Sequence, residues 1–113
     1  MARYQYVVLT SPAEGQDKEY NEWYSNTHLG EILQIPGFKS AKRYKVAARS
    51  TPLNPPPKQS YLALYEMETD DPEATLGELR RRSAAGLLKS TTSMDRTVTS
   101  SILYELIAER EAK

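Results

Sequence analysis

Cysteine is absent from the 113 residues, and histidine occurs once. The first absence excludes a disulfide scaffold, a thiolate zinc site and a cysteine nucleophile. The second excludes a metal centre built from several imidazoles. Net charge is missing too: fifteen Lys and Arg balance fifteen Asp and Glu. A chain without a positive surplus is not held on nucleic acid by counterion release, nor on a membrane by a polybasic patch, so neither partner is expected. No apolar run approaches the roughly 20 residues that span a bilayer. Met1-Ala2-Arg3-Tyr4-Gln5-Tyr6 runs straight into a strand pattern, without a signal-peptide core. A cytoplasmic protein is expected, with a single domain over 1–108 and a frayed tail over 109–113. The chain also lacks a Gly-rich phosphate loop and the G-x-S-x-G setting of a serine nucleophile. What it has is tyrosine: eight, against one Phe and one Trp. Tyr favours strands and buries its ring, yet its hydroxyl needs a partner.

Alternation predicts a strand over 3–11, with Tyr4, Tyr6 and Val8 on one face and Arg3, Gln5, Val7 and Leu9 on the other. After the turn residues 11–16, a helix is expected from Asp17, with Tyr20, Trp23, Tyr24 and Thr27 on its buried stripe. Leu29, Ile32 and Leu33 fall out of phase with that stripe. A kink near His28–Gly30 is therefore expected, followed by a short helical piece that ends before Pro36-Gly37. Residues 38–48 are rich in Lys and Arg, as suits an edge strand, and the four prolines within 52–57 make an extended loop that cannot pair in a sheet. Residues 59–68 carry apolar side chains on both faces, the pattern of a central strand covered on two sides. Asp71-Pro72-Glu73 opens a second helix, expected to run through Leu76, Leu79, Ser83 and Leu87. A last strand is expected over 97–107, with Val98, Ser100, Ile102, Tyr104 and Leu106 on one face.

The resulting order, β-α-β-β-α-β, is the ferredoxin-like α+β unit: a four-stranded antiparallel sheet with two helices on one face. The other face has no helix of its own, yet it carries Leu62 and Leu64. An uncovered apolar sheet face marks an interaction surface, and a second copy of the chain covers it most simply. A homodimer through the sheet face is expected.

Asn21-Glu22-Trp23-Tyr24-Ser25-Asn26-Thr27-His28-Leu29, then Ile35-Pro36-Gly37-Phe38 and Ala41-Lys42-Arg43-Tyr44, resembles the dimeric α+β barrel superfamily, in particular its EthD-like and related small proteins. The shared pattern is an aromatic pair, a His at the end of the first helix, and a Pro-Gly turn into an A-x-R-Y strand. Members usually have Pro after the His-Leu pair, where this chain has Gly30. The resemblance implies two sheets facing each other as a barrel, helices outside, and a ligand pocket in each subunit between helices and sheet. The chemistries it implies are cofactor-free oxygenation, polyketide cyclisation, lactone isomerisation, and haem binding or degradation. Fold analogy does not choose among them.

His28 is the only side chain whose unperturbed pKa lies near neutrality, which makes it the proton-transfer candidate. Tyr24, four residues earlier on the same helical side, is placed to orient the imidazole or to donate to a substrate oxygen. Trp23 offers a stacking wall, Tyr6 and Tyr65 on central strands face the same helix, and Arg43 is a candidate to attract a carboxylate. The bland alternatives are a His that caps carbonyls, tyrosines that only pack, and, for Arg80–Arg82, a solvated basic face. Three functions follow as expectations. The first is a small-molecule enzyme without a bound organic cofactor, with proton-transfer, isomerase, cyclase or oxygenase chemistry on a small cyclic or aromatic metabolite. The second is a non-catalytic metabolite-binding or accessory protein. The third is a haem protein with His28 as axial ligand.

Overall fold

A computed structural model describes residues 1–47, 52 and 54–113. Strand β1 (Ala2–Thr10) leads to a helical run made of α1 (Asp17–Trp23), a π-helical turn (Tyr24–His28) and α2 (Leu29–Leu33). Strands β2 (Phe38–Lys45) and β3 (Tyr61–Thr69) follow, then α3 (Pro72–Ala84), a single 3-10 turn (Arg96–Val98) and β4 (Ser100–Glu105). The sheet order is β2-β3-β1-β4, and every neighbouring pair is antiparallel. This is the expected ferredoxin-like α+β arrangement. The charge-rich strand β2 lies at one edge, while β1 and β3 occupy the centre. No helix among the described residues is long and apolar enough to cross a membrane.

The first helix departs from expectation in an instructive way. Its buried side chains Tyr20, Tyr24 and Ile32, with His28 between them, recur every four residues. In a 3.6-residue helix such a spacing drifts by about 40° per step. The π turn absorbs the drift: Leu29 N–H bonds to the Tyr24 carbonyl, five residues back. The helical run therefore continues without a break from Asp17 to Leu33, and its irregularity is the π turn that ends at His28, where the kink near His28–Gly30 is expected.

Other boundaries move by a few residues. Strand β2 ends at Lys45; Ala48, its expected end, lies outside the described residues, as do Thr51 and Leu53 of the proline segment. Helix α3 stops at Ala84, short of Leu87, because Gly86 adopts φ 73° and turns the chain, with Leu87 N–H closing on the Arg82 carbonyl. The expected last strand over 97–107 contracts to Ser100–Glu105, its start being taken up by the 3-10 turn that Asp95 caps.

The core lies between the helices and one sheet face, and comprises Tyr20, Tyr24, Ile32, Ile35, Phe38, Ala63, Tyr65 and Met67. Burying each side chain of the size of Ile32 or Met67 contributes roughly 1.5–3 kcal/mol. The opposite face holds Tyr44, Ile102 and Tyr104, which are 48%, 40% and 54% exposed. At the start of α3, the Asp71 carboxylate accepts from Ala74 N–H at 3.0 Å and Pro72 occupies the first helical position, as read from the sequence. Asp71→Ala is expected to lower stability by about 1 kcal/mol, and Asp71→Asn by much less. Chemical denaturation of the two variants checks this.

Candidate functional site

A cavity of about 430 Å³ opens between the first helical run, strand β1 and the segment that joins α3 to β4. Val8 and Thr10 come from β1; Trp23, Tyr24 and His28 come from the helical run. Leu88, Lys89, Ser90, Met94, Arg96 and Thr99 come from the joining segment, with Ser83 and Gly86 at the end of α3. This volume falls within the ~300–1,000 Å³ range usual for small-molecule sites.

The joining segment is pinned to the helix at one point. The Trp23 indole N–H donates to the Lys89 carbonyl at 2.8 Å, while the Lys89 amide donates to the Glu31 carboxylate at 2.9 Å. Further along, an isolated bridge between Pro12 and Met94 ties the segment to the end of β1. The cavity wall is thus hydrogen-bonded to both elements on which it rests.

The π turn brings the three aromatic candidates together. His28 stacks on Trp23, with centroids 4.5 Å apart and planes at 20°, and meets Tyr24 edge-on at 5.2 Å. Burial holds the His28 imidazole down to about 4, against a partial opposing pull from Glu31. The ring is therefore neutral at physiological pH. Its Nδ1 is buried without a hydrogen-bond partner. Tyr24 is 2% exposed, and burial pushes its phenol up to about 12, so its hydroxyl stays protonated and able to donate.

Tyr6, Tyr65 and Arg43 take other places. Tyr65 is in the core, tilted against Tyr6 at 6.1 Å; burial drives its phenol upward, with the nearby Tyr24 adding to the effect. Its hydroxyl has no partner within hydrogen-bond geometry. Arg43 lies behind Tyr24 rather than in the cavity wall. Its guanidinium carbon is 4.5 Å from the Tyr24 ring centroid and 5.2 Å from those of Tyr20 and Tyr61. Nη1 donates to Ser25 Oγ at 2.8 Å, and among the described residues no carboxylate pairs with the group. A partly desolvated cation on three phenol faces is worth upwards of ~1 kcal/mol per close contact. Arg43 thus supports the helix from beneath. Arg81 and Arg82 are also engaged elsewhere, pairing with Glu78 at 2.7 and 2.6 Å.

Of the wall residues, sequence reasoning found Trp23, Tyr24 and His28 and missed the rest: Val8 and Thr10 on β1, Ser83 and Gly86 at the end of α3, and the residues of the joining segment. Those of the joining segment belong to a stretch without periodicity, so only the tertiary fold assigns them. No group of three or more His, Asp or Glu side chains suited to a metal ion occurs among the described residues. In this cavity a haem would find one imidazole, that of His28.

No protein-family model matches the sequence, and no curated protein matches it. Among solved structures, the chain is similar to a protein from Shewanella loihica PV-4 described as a "putative monooxygenase". The two share 12% identity over 96% of this chain and 99% of that one, with a TM-score of 0.62. The likeness is one of fold, and places the chain in the ferredoxin-like α+β class.

The depressed His28 value has a consequence for stability. Unfolded, the imidazole titrates near 6.5; folded, near 4. Between those values the unfolded chain holds the extra proton, so stability is complete above pH 6.5 and is lost as pH falls towards 4. The loss reaches about 3 kcal/mol. His28→Gln is expected to flatten the stability profile across this window, as read by denaturant unfolding at stepped pH.

Proposed function

We propose that the protein is a small-molecule enzyme of the dimeric α+β barrel type, EthD-like or a close variant, acting on a small cyclic or aromatic metabolite without a bound organic cofactor. The observation that carries this reading is the convergence of the sole histidine, a protonated phenol and an indole on one cavity wall. In the proposed reaction His28 takes a proton from a carbon or oxygen conjugated with a substrate carbonyl. The bond to hydrogen breaks, its electron pair moves onto the substrate oxygen, and Tyr24 donates a hydrogen bond to that oxygen. The imidazolium that forms is costly where burial already disfavours the charged ring. Beside an enolate or phenolate it becomes half of an ion pair, and the low dielectric then favours it. Returning the proton at another carbon completes an isomerisation. Trp23 stacks on the imidazole and fixes its plane.

A second reading, metabolite binding without turnover, draws on the same His28 value: a base held near 4 is weak until a ligand anion raises it. The two readings separate experimentally. For a substrate found by screening cyclic ketones, lactones and phenols, His28→Ala is expected to lower kcat/KM by about 10²–10⁴. Unchanged turnover in that variant would remove His28 from the chemistry. A compound that raises Tm yet is recovered unaltered after long incubation would favour binding alone.

The homodimer belongs to the same proposal. Tyr44, Ile102 and Tyr104 form an apolar sheet face that water solvates poorly, and a second sheet covers it. Light scattering is expected to give the mass of two chains, and Ile102→Glu the mass of one. A single-chain mass for the unaltered protein at micromolar concentration would overturn the barrel.

A further inference from the structure

The cavity is polarised in a way that the neutral composition does not foretell. Its wall includes two cationic residues, Lys89 and Arg96, and no Asp or Glu. Fifteen acids balance fifteen bases over the chain, so the imbalance is local. The nearest acids accept hydrogen bonds from the protein itself, Glu31 next to the wall residues Lys89 and His28. Glu31 accepts from the Lys89 backbone amide, at 3.2 and 2.9 Å. Asp95 accepts from the amide and hydroxyl of Thr97, at 3.0 and 2.6 Å. Glu78 is held by Arg81 and Arg82. Neither Lys89 nor Arg96 has a carboxylate partner among the described residues.

Both residues are held at the backbone or side chain. Lys89 is fixed by its two backbone hydrogen bonds to the helical run. Arg96 donates through Nη2 to the Thr91 carbonyl at 3.1 Å, which anchors the guanidinium and leaves its other donors without acceptors among the described residues. Apolar and aromatic side chains also line the wall: Val8, Trp23, Leu88 and Met94. We infer that the cavity takes a small organic carboxylate, with an aromatic or apolar body against Trp23, Val8 and Met94 and its carboxylate at Arg96 and Lys89. The inference rests on the small-molecule reading above and adds the charge and polarity of the ligand. A guanidinium with free donors recognises a carboxylate through charge-assisted hydrogen bonds, while an amide of the same shape gives it no charge to pair.

The test uses the full chain with benzoate and phenylacetate, each set against its amide, benzamide and phenylacetamide. Binding is read by ligand-observed saturation-transfer NMR and by the fluorescence of Trp23, the sole tryptophan. Each acid is expected to bind about tenfold more tightly than its amide. The double variant Arg96→Gln, Lys89→Gln is expected to erase that preference while it still binds the amides and keeps the unaltered Tm. Equal binding of acid and amide, or a preference that survives in a folded double variant, would overturn the carboxylate assignment and leave the small-molecule reading standing. Should none of the four compounds bind, the carboxylate assignment falls, while the small-molecule reading is decided by the screen of cyclic ketones, lactones and phenols.

Discussion

The placement of one ring, that of Tyr24, governs the helical side of this molecule. It sits edge-on to Tyr20 at 5.7 Å, to Trp23 at 5.3 Å and to His28 at 5.2 Å, over the Arg43 guanidinium at 4.5 Å. A phenol so buried is tolerated only where its neighbours supply edge-to-face and cation–π contacts in place of water. The π turn that begins at Tyr24 is the backbone's adjustment to that packing. It lets residues spaced by four face the sheet together, and so sets His28 beside the cavity instead of rotating it toward solvent.

Two sides of the same helix therefore do different work. Beneath it, Arg43, Tyr20 and Tyr61 form a closed cluster, with Tyr20 hydrogen-bonded to Thr10 and Tyr61 accepting from Asn21 at 3.2 Å. Beside it, Trp23 and His28 meet the joining segment, whose backbone closes the cavity through Lys89. The closed cluster supplies rigidity, and the open side supplies room. A polar group that is buried yet incompletely satisfied, such as His28 Nδ1, is costly, and sites that bind or react are where proteins sustain that cost.

The tyrosine surplus resolves along these lines. Tyr20, Tyr24 and Tyr65 are core, and Tyr4, Tyr6 and Tyr61 pack against it. Tyr44 and Tyr104 are half-exposed on the helix-free sheet face. Only Tyr24 reaches the cavity wall.

Much of this was legible in the chain because it depends on local periodicity. Alternation in 3–11 and 59–68, the Asp71-Pro72 helix start and the four-residue step from Tyr24 to His28 are short-range signals, each with a physical cause that acts on neighbouring residues. They determined the element order, the ferredoxin-like class and the grouping of Trp23, Tyr24 and His28. Two matters depended on groups distant in sequence. Arg43 reads as a free cation until β2 is laid beneath the first helix, where three phenol rings cover it. Arg96 and Lys89 read as loop residues until the segment that carries them folds back across β1. Periodicity cannot reveal either, because no rule of spacing links a loop to the cavity it closes. Composition excluded whole chemistries, and local pattern built the scaffold. Only long-range packing decided which charged residues line the cavity and which lie against aromatic rings.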